Sequence, residues 1–180
     1  DMDRPKEAES FLKRSLAIYE RLFGRNSLEV AGSLGGLADV CQDLDRLDEA
    51  ERYQLEVLNI RESILRPGHP RIAYTLHNLG MVRNALGQRD AAVRCLQRAL
   101  AIYENALGRN HIHNCNTLSS LATIRIDQGQ FTEAEELLNH CLRIRREVLG
   151  PKHPFVAGTL NNLAILRNEQ ARYEEAITLH

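Results

Sequence analysis

Three groups of side chains in this sequence have residue types that chemistry uses. His111-x-His113-x-Cys115 places two imidazoles and a thiol within five residues, all donors that zinc accepts. A fourth ligand is missing. His69, His111 and His153 recur at a constant step and so stand about one structural layer apart, too far to share an ion, and no metal is expected. The second group is paired carboxylates, Glu135-Glu136 and Glu174-Glu175. At helix starts such pairs favour the helix dipole, and they read as solvated faces rather than an acid–base dyad. The third group is asparagine-rich: Asn78, Asn84, Asn116, Asn161, Asn162 and Asn168. An amide offers donors and an acceptor together, so a row of amides can bracket the backbone of an extended peptide without demanding particular side chains. That is the chemistry of recognition, not of bond making.

Groups that would make a reaction are missing from the pattern. No Ser or Cys stands with a positioned base, and no glycine-rich loop precedes Lys-Ser/Thr. Cys41, Cys95, Cys115 and Cys141 never form a Cys-x-x-Cys pair and read as buried free thiols. The expectation is a non-enzyme without a cofactor.

The elements that must position the asparagines follow from an internal period. Ala8, Ala50, Ala92, Ala134 and Ala176 are each separated by 42 residues. Leu16, Leu58, Leu100 and Leu142 keep that step, as do Leu37, Leu79, Leu121 and Leu163. Within a unit, Ile72, Leu76, Leu79 and Leu86 follow helical spacing, and so do Ala92, Leu96, Ala99, Leu100, Tyr103 and Leu107. Each unit is therefore two amphipathic helices, and a gap as short as Gly87-Gln88-Arg89 forces them antiparallel. First helices are expected at about 27–44, 69–86, 111–128 and 153–170; second helices at about 5–23, 47–65, 89–107, 131–149 and from 173 onward. Asp48 with Glu51 and Thr132 with Glu135 have the spacing of capping boxes.

A lone helical hairpin cannot bury both of its sides, so the units must stack. The expected fold is all-α: one continuous array over 1–180, a right-handed α-solenoid of about four repeats. Its hairpin units fall at about 27–65, 69–107, 111–149 and 153–180, after a lone second helix at 5–23. Beginning in a second helix and stopping within another, the sequence reads as a section of a longer array. Apolar faces at its two ends would favour end-to-end association of copies.

Composition narrows the partners. Hydrophobic residues make up 43% and charged residues 26%, with a formal net charge of −1. That is enough apolar material for a core, and the mixed charges give no footprint for nucleic acid or an anionic membrane. With no run of about 18 apolar residues and no signal-peptide pattern, a cytoplasmic location is expected.

Leu79-Gly80, Leu121-Ala122 and Leu163-Ala164, followed by the repeating Ala of the second helix, resemble the tetratricopeptide consensus. The 42-residue period, the phrase Leu149-Gly150-Pro151-Lys152-His153-Pro154-Phe155-Val156-Ala157 and the run Thr159-Leu160-Asn161-Asn162-Leu163-Ala164 resemble the kinesin light chain subtype shared with nephrocystin-3. The resemblance implies a protein or linear peptide as partner, in the manner of a cargo adaptor. The subtype also occurs as the sensor end of nucleotide-binding signalling proteins and in self-assembling scaffolds, which stand as alternatives.

In kinesin light chains asparagines of the first helices hold an extended cargo peptide, and those positions fall on Asn78 and Asn162, with Ser120 between them and Gly36 in the first unit. On that helix face Tyr74, His77, Asn78, Met81 and Asn84 share one side, as do Asn116 and Ser120 in the next unit and Asn161, Asn162 and Asn168 in the last. Asp39, Asp43, Asp127 and Glu169 would make this groove acidic, unlike one that selects acidic peptides. Arg83, Arg125 and Arg167 stand on the core seam where the first unit has Cys41, and are expected to pack their stems and reach a carboxylate or water.

Overall fold

The computed structural model describes residues 3–178, with side chains described over 4–171. Expectations placed on Ala176, on the side chains of Glu174-Glu175 and on the last two residues lie outside that description. Among the described residues there are eight helices and no strand: α1 (Asp3–Phe23), α2 (Leu28–Asp43), α3 (Leu47–Ile64), α4 (Pro70–Ala85), α5 (Arg89–Leu107), α6 (Asn114–Asp127), α7 (Phe131–Leu149) and α8 (Pro154–Thr178). The chain divides within α5 into two compact units, Asp1–Ile102 and Tyr103–His180.

In the first unit each helix packs on the next, α1 on α2, α2 on α3 and α3 on α4. Val30, Ala31 and Leu34 of α2 close on Val57 and Ile60 of α3, with Leu16 and Tyr19 of α1 against them. Farther along, Cys41, Ala50 and Val82 join α2, α3 and α4. In the second unit Ala122 of α6, Ala134 and Leu138 of α7 and Leu166 of α8 form the core. These are the periodic apolar positions, so the repeat and the core are the same residues.

Turns between the helices of a hairpin repeat as faithfully. Asp45, Gly87 and Gly129, spaced by 42, all have positive φ (58°, 76° and 71°). After each, an amide reaches back five residues: Arg46 N to Cys41 O, Gln88 N to Arg83 O and Gln130 N to Arg125 O, each at 2.8 Å. This is the Schellman closure, which requires one left-handed residue. The equivalent position in the last unit is Ala171. Alanine pays a steric penalty at positive φ, and α8 runs unbroken through it to Thr178 where a hairpin turn was expected.

Two further expectations are corrected. The capping boxes do not form: α3 and α7 begin at Leu47 and Phe131, a residue before Asp48 and Thr132, and neither start has a side-chain cap. Glu51 and Glu135 pair with arginines instead. α6 starts at Asn114, not near 111, because the buried Asn114 side chain donates to Gly108 O (3.0 Å) and Arg109 O (2.8 Å), holding a turn ahead of the helix. The caps that do exist lie on a column the sequence showed only as loop. Ser27 accepts from Val30 N, and the Nδ1 atoms of His69 and His153 accept from Arg71 N and Phe155 N; His111 makes the same bond to His113 N, but in the turn ahead of α6.

Candidate functional site

The first helices of the hairpins carry the candidate face, and their core stripe fixes which side is turned outward. On α4, Ile72, Ala73, Thr75, Leu76 and Leu79 are buried. Helical periodicity then turns Tyr74 and Met81 outward, and both are exposed, Tyr74 by 52%. Between them His77 and Asn78 are half-buried, as is Asn84 beyond Met81. Burial holds the His77 imidazole below its ordinary range. On α2 the corresponding surface is short-sided: Gly32, Gly35 and Gly36, then Asp39 and Asp43. Burial, and secondarily the Asp43 charge one turn away, push the Asp39 carboxyl above its ordinary range. Gly36 stands where α4 has Asn78, and packing explains the absence of an amide: a Cβ there would come within 2.9 Å of Leu12 Cδ2 on α1.

In the second unit Asn161 and Asn168 of α8 are exposed, and Asn162 and Ser120 are half-buried. Asn116 is exposed, but its Oδ1 accepts a hydrogen bond from Arg145 Nη2 at 3.1 Å. That amide is part of the scaffold. Its neighbour in the column pattern, Ser119, has its hydroxyl 3.4 Å from Cys141 Sγ.

The seam arginines meet carboxylates. Arg83 Nε donates to Glu51 Oε1 at 2.8 Å and its Nη1 to Cys95 Sγ at 3.3 Å. Arg167 makes the same pairing with Glu135, 32 residues earlier as in Arg83 and Glu51. For Arg125 that partner position is Val93. Arg125 instead sits 3.0 Å from Glu133 Oε1 and donates to the side-chain oxygens of Gln128 and Gln130.

A second arginine column was not singled out in the sequence. Arg61 Nη1 donates to Arg71 O (3.1 Å) and Thr75 Oγ1 (2.7 Å); Arg145, 84 residues later, makes the same two contacts with Phe155 O (3.1 Å) and Thr159 Oγ1 (2.7 Å). Each joins the second helix of one repeat to the first helix of the next. Arg145 also stands over the Phe155 ring, 5.4 Å from its centroid. The signal available in the sequence was the threonine column Thr75, Thr117, Thr159, polar residues at positions with core spacing.

The zinc-donor cluster does not converge. His111 and His113 rings lie 4.9 Å apart, but Cys115 is buried with its sulfur against Cys141. Among the described residues no group of three His, Cys, Asp or Glu side chains is placed to hold a metal. Nor is any helix among them long and apolar enough to cross a membrane.

Comparison with known proteins agrees with this geometry. No curated protein sequence matches the chain significantly. Among solved structures it is similar to a Podosopora anserina protein provisionally assigned as a kinesin light chain and built of nearly identical TPR-like repeats: 26% identity, 98% of this chain, 84% of that one, TM-score 0.80. It is similar in fold to BtubC (BKLC) from P. vanneervenii, at 22% identity over 90% of this chain and 65% of that one, TM-score 0.77. A Rap protein complexed with the competence and sporulation factor shares the fold at 16% identity, over 94% of this chain and 50% of that one, TM-score 0.67. The tetratricopeptide repeat profile matches residues 1–63, 29–105 and 113–180. Helix hairpins repeating every 42 residues, the shared fold and those matches identify an all-α protein-interaction module of a kind that is typically non-catalytic: the chain belongs to the tetratricopeptide repeat family.

Proposed function

We propose that the chain binds an extended peptide, or an extended segment of a protein, on the outward face of a first helix, α4 foremost, as a kinesin light chain-like cargo adaptor. One observation carries the reading. On α4, exposed Tyr74 and Met81 flank the half-buried Asn78 and Asn84, a surface with apolar contact area and backbone-directed amides side by side. On α8 Asn161, Asn162 and Asn168 repeat the amide chemistry. The likeness to the Podosopora anserina kinesin light chain-type protein supports the same reading, as does the ligand-bound Rap protein at the level of fold. Asn116 drops out of the binding set, because Arg145 already holds it.

The test is a peptide-display selection on the whole chain, repeated with Asn78→Ala and Asn162→Ala. Linear motifs that enrich on the native chain and are lost from either variant support the reading. Enrichment indifferent to both substitutions refutes it.

Self-association is a second reading, favoured by one contrast. Ile18 of α1 is 55% exposed, while its repeat equivalents Ile60 and Ile144 are 7% and 0% exposed. α1 thus presents a face that elsewhere in the repeat is covered by a helix. A mass that rises with concentration in sedimentation, without peptide binding, would favour this reading over the groove.

A further inference from the structure

We propose that Cys115 and Cys141 form a peroxide-sensitive dithiol, whose oxidation to a disulfide locks α6 to α7. The two residues occupy facing positions in the hairpin seam. At the equivalent positions the preceding hairpin has Ala73 and Ala99, and the first has Ala31 and Val57. Only the 111–149 hairpin puts sulfur on both sides.

Their geometry is reciprocal. Cys115 Sγ lies 3.7 Å from Cys141 O, and Cys141 Sγ lies 3.5 Å from Cys115 O. Each sulfur therefore reaches the other residue's backbone across the α6–α7 seam.

The surroundings favour a thiolate at Cys141. Ser119 Oγ is 3.4 Å away and Thr159 Oγ1 3.8 Å, two hydroxyls able to donate to sulfur. Thr159 in turn accepts from Arg145 Nη1 and donates to Phe155 O at 2.9 Å, so Ser119 is the nearer hydroxyl facing the Cys141 sulfur. Arg145 is only 8% exposed, its Nε is buried without a hydrogen-bond partner, and among the described residues no carboxylate is paired with it. A buried cation without a counter-ion is costly. Cys141 lies one turn away on the same helix, where the Arg145 charge favours the thiolate over the thiol. The hydrogen bond from Cys115, with those from Ser119 and Thr159 and the Arg145 charge, holds the Cys141 thiol below its ordinary range against the effect of burial. The same bond and burial push Cys115 up. Cys141 is thus the thiol that ionises first and acts as nucleophile, and Cys115 is the resolving thiol.

The oxidant is a small hydroperoxide such as hydrogen peroxide, the size of molecule suited to two residues that are at most 1% exposed. The Cys141 thiolate attacks one peroxide oxygen. The O–O bond breaks, the departing hydroxide takes a proton to become water, and Cys141 becomes a sulfenic acid. The Cys115 sulfur then attacks the Cys141 sulfur, its proton leaving with the sulfenic hydroxyl as a second water. Two thiols and one peroxide give one disulfide and two waters, and a thiol reductant reverses the change.

The experiment treats the folded full chain with hydrogen peroxide at neutral pH, then quenches, denatures, alkylates and maps it by mass spectrometry. The expected product has lost two hydrogen atoms and yields a peptide pair linked through Cys115 and Cys141. Cys41 and Cys95 stay alkylatable, reacting about tenfold more slowly or less. In Cys115→Ala, Cys141 should stop at a sulfenic acid trapped by dimedone; in Cys141→Ala, Cys115 should stay reduced. Alanine is the residue the seam already holds at 73 and 99, so both variants are compatible with the hairpin. The wild-type map alone can overturn the proposal: no linked pair at a peroxide dose that oxidises the denatured chain, or equal oxidation of all four cysteines, refutes it.

Discussion

Arg145 and Arg61 offer a paired experiment, because the same two contacts occur at different depths in the two units. Truncating Arg145 to alanine removes donors to Phe155 O, Thr159 Oγ1 and Asn116 Oδ1, together with its stack on the Phe155 ring. Hydrogen bonds from a charged donor are each worth about 1.5–3 kcal/mol net. Three that share one costly buried cation are better counted as about 3 kcal/mol together. The lost stem adds about 1–2 kcal/mol of apolar burial, partly recovered because Thr159 keeps its bond to Phe155 O. The expected loss for Arg145→Ala is therefore about 3–4 kcal/mol. Arg145→Met keeps most of the stem and should lose about half as much. Arg61 makes the same two contacts while half-exposed, so their loss in Arg61→Ala should cost only about 1–2 kcal/mol. Urea unfolding followed by circular dichroism gives the totals. Native-state hydrogen exchange locates them, since repeat arrays need not unfold in one step. If Arg61→Ala costs as much as Arg145→Ala, burial is not what gives the contact its strength and the reasoning fails.

Two further outcomes follow from the backbone and from the histidines. Ala171→Gly supplies the residue type found at Gly87 and Gly129, and should break α8 near 171. Cα chemical shifts that stay helical from 168 to 176 in the variant would show that the turn depends on something other than this position. Burial lowers the pKa of both His77 and His140, aided at His140 by Arg143. The unfolded imidazoles then take up protons at a higher pH than the folded ones, so stability should fall as pH drops below about 6.5 and continue falling toward the folded values. His77→Gln should flatten this slope in urea midpoints measured across that range; an unchanged slope would remove His77 from the account.

Much of the fold was legible because its cause is periodic. Ala50, Ala92 and Ala134 mark the seams, and each is fully buried where the 42-residue step placed it. What was not legible depended on single departures from the period. Ala171 could be read as one more turn until its φ requirement was considered, and Asn114 looked like an ordinary helix residue until its side chain was seen holding the preceding loop. The candidate binding face was legible as a face, since helical spacing decides which side points outward. Its chemistry was only half legible. Asn116 has the same amide as Asn78, and nothing in the sequence distinguishes an amide awaiting a ligand from one already held by Arg145. Arg145 is not legible from the period because Tyr103 interrupts its column, so the contact has a period of 84 residues, not 42.

The charge pairs at the seams also bear on how such a chain can be rearranged. Arg83 and Arg167 each take their carboxylate from the repeat before them, Glu51 and Glu135. Arg125 takes Glu133 from its own hairpin. The repeats therefore differ in what they require of a predecessor: two depend on an acidic one, and the third is indifferent. Duplication, deletion or shuffling of repeats is constrained accordingly. A chimera that places the Arg83 repeat after one carrying valine at the Glu51 position leaves a half-buried guanidinium without its ion pair, whereas the Arg125 repeat can be inserted after any neighbour. Sequences that look interchangeable by their leucines and alanines carry an order written in their arginines.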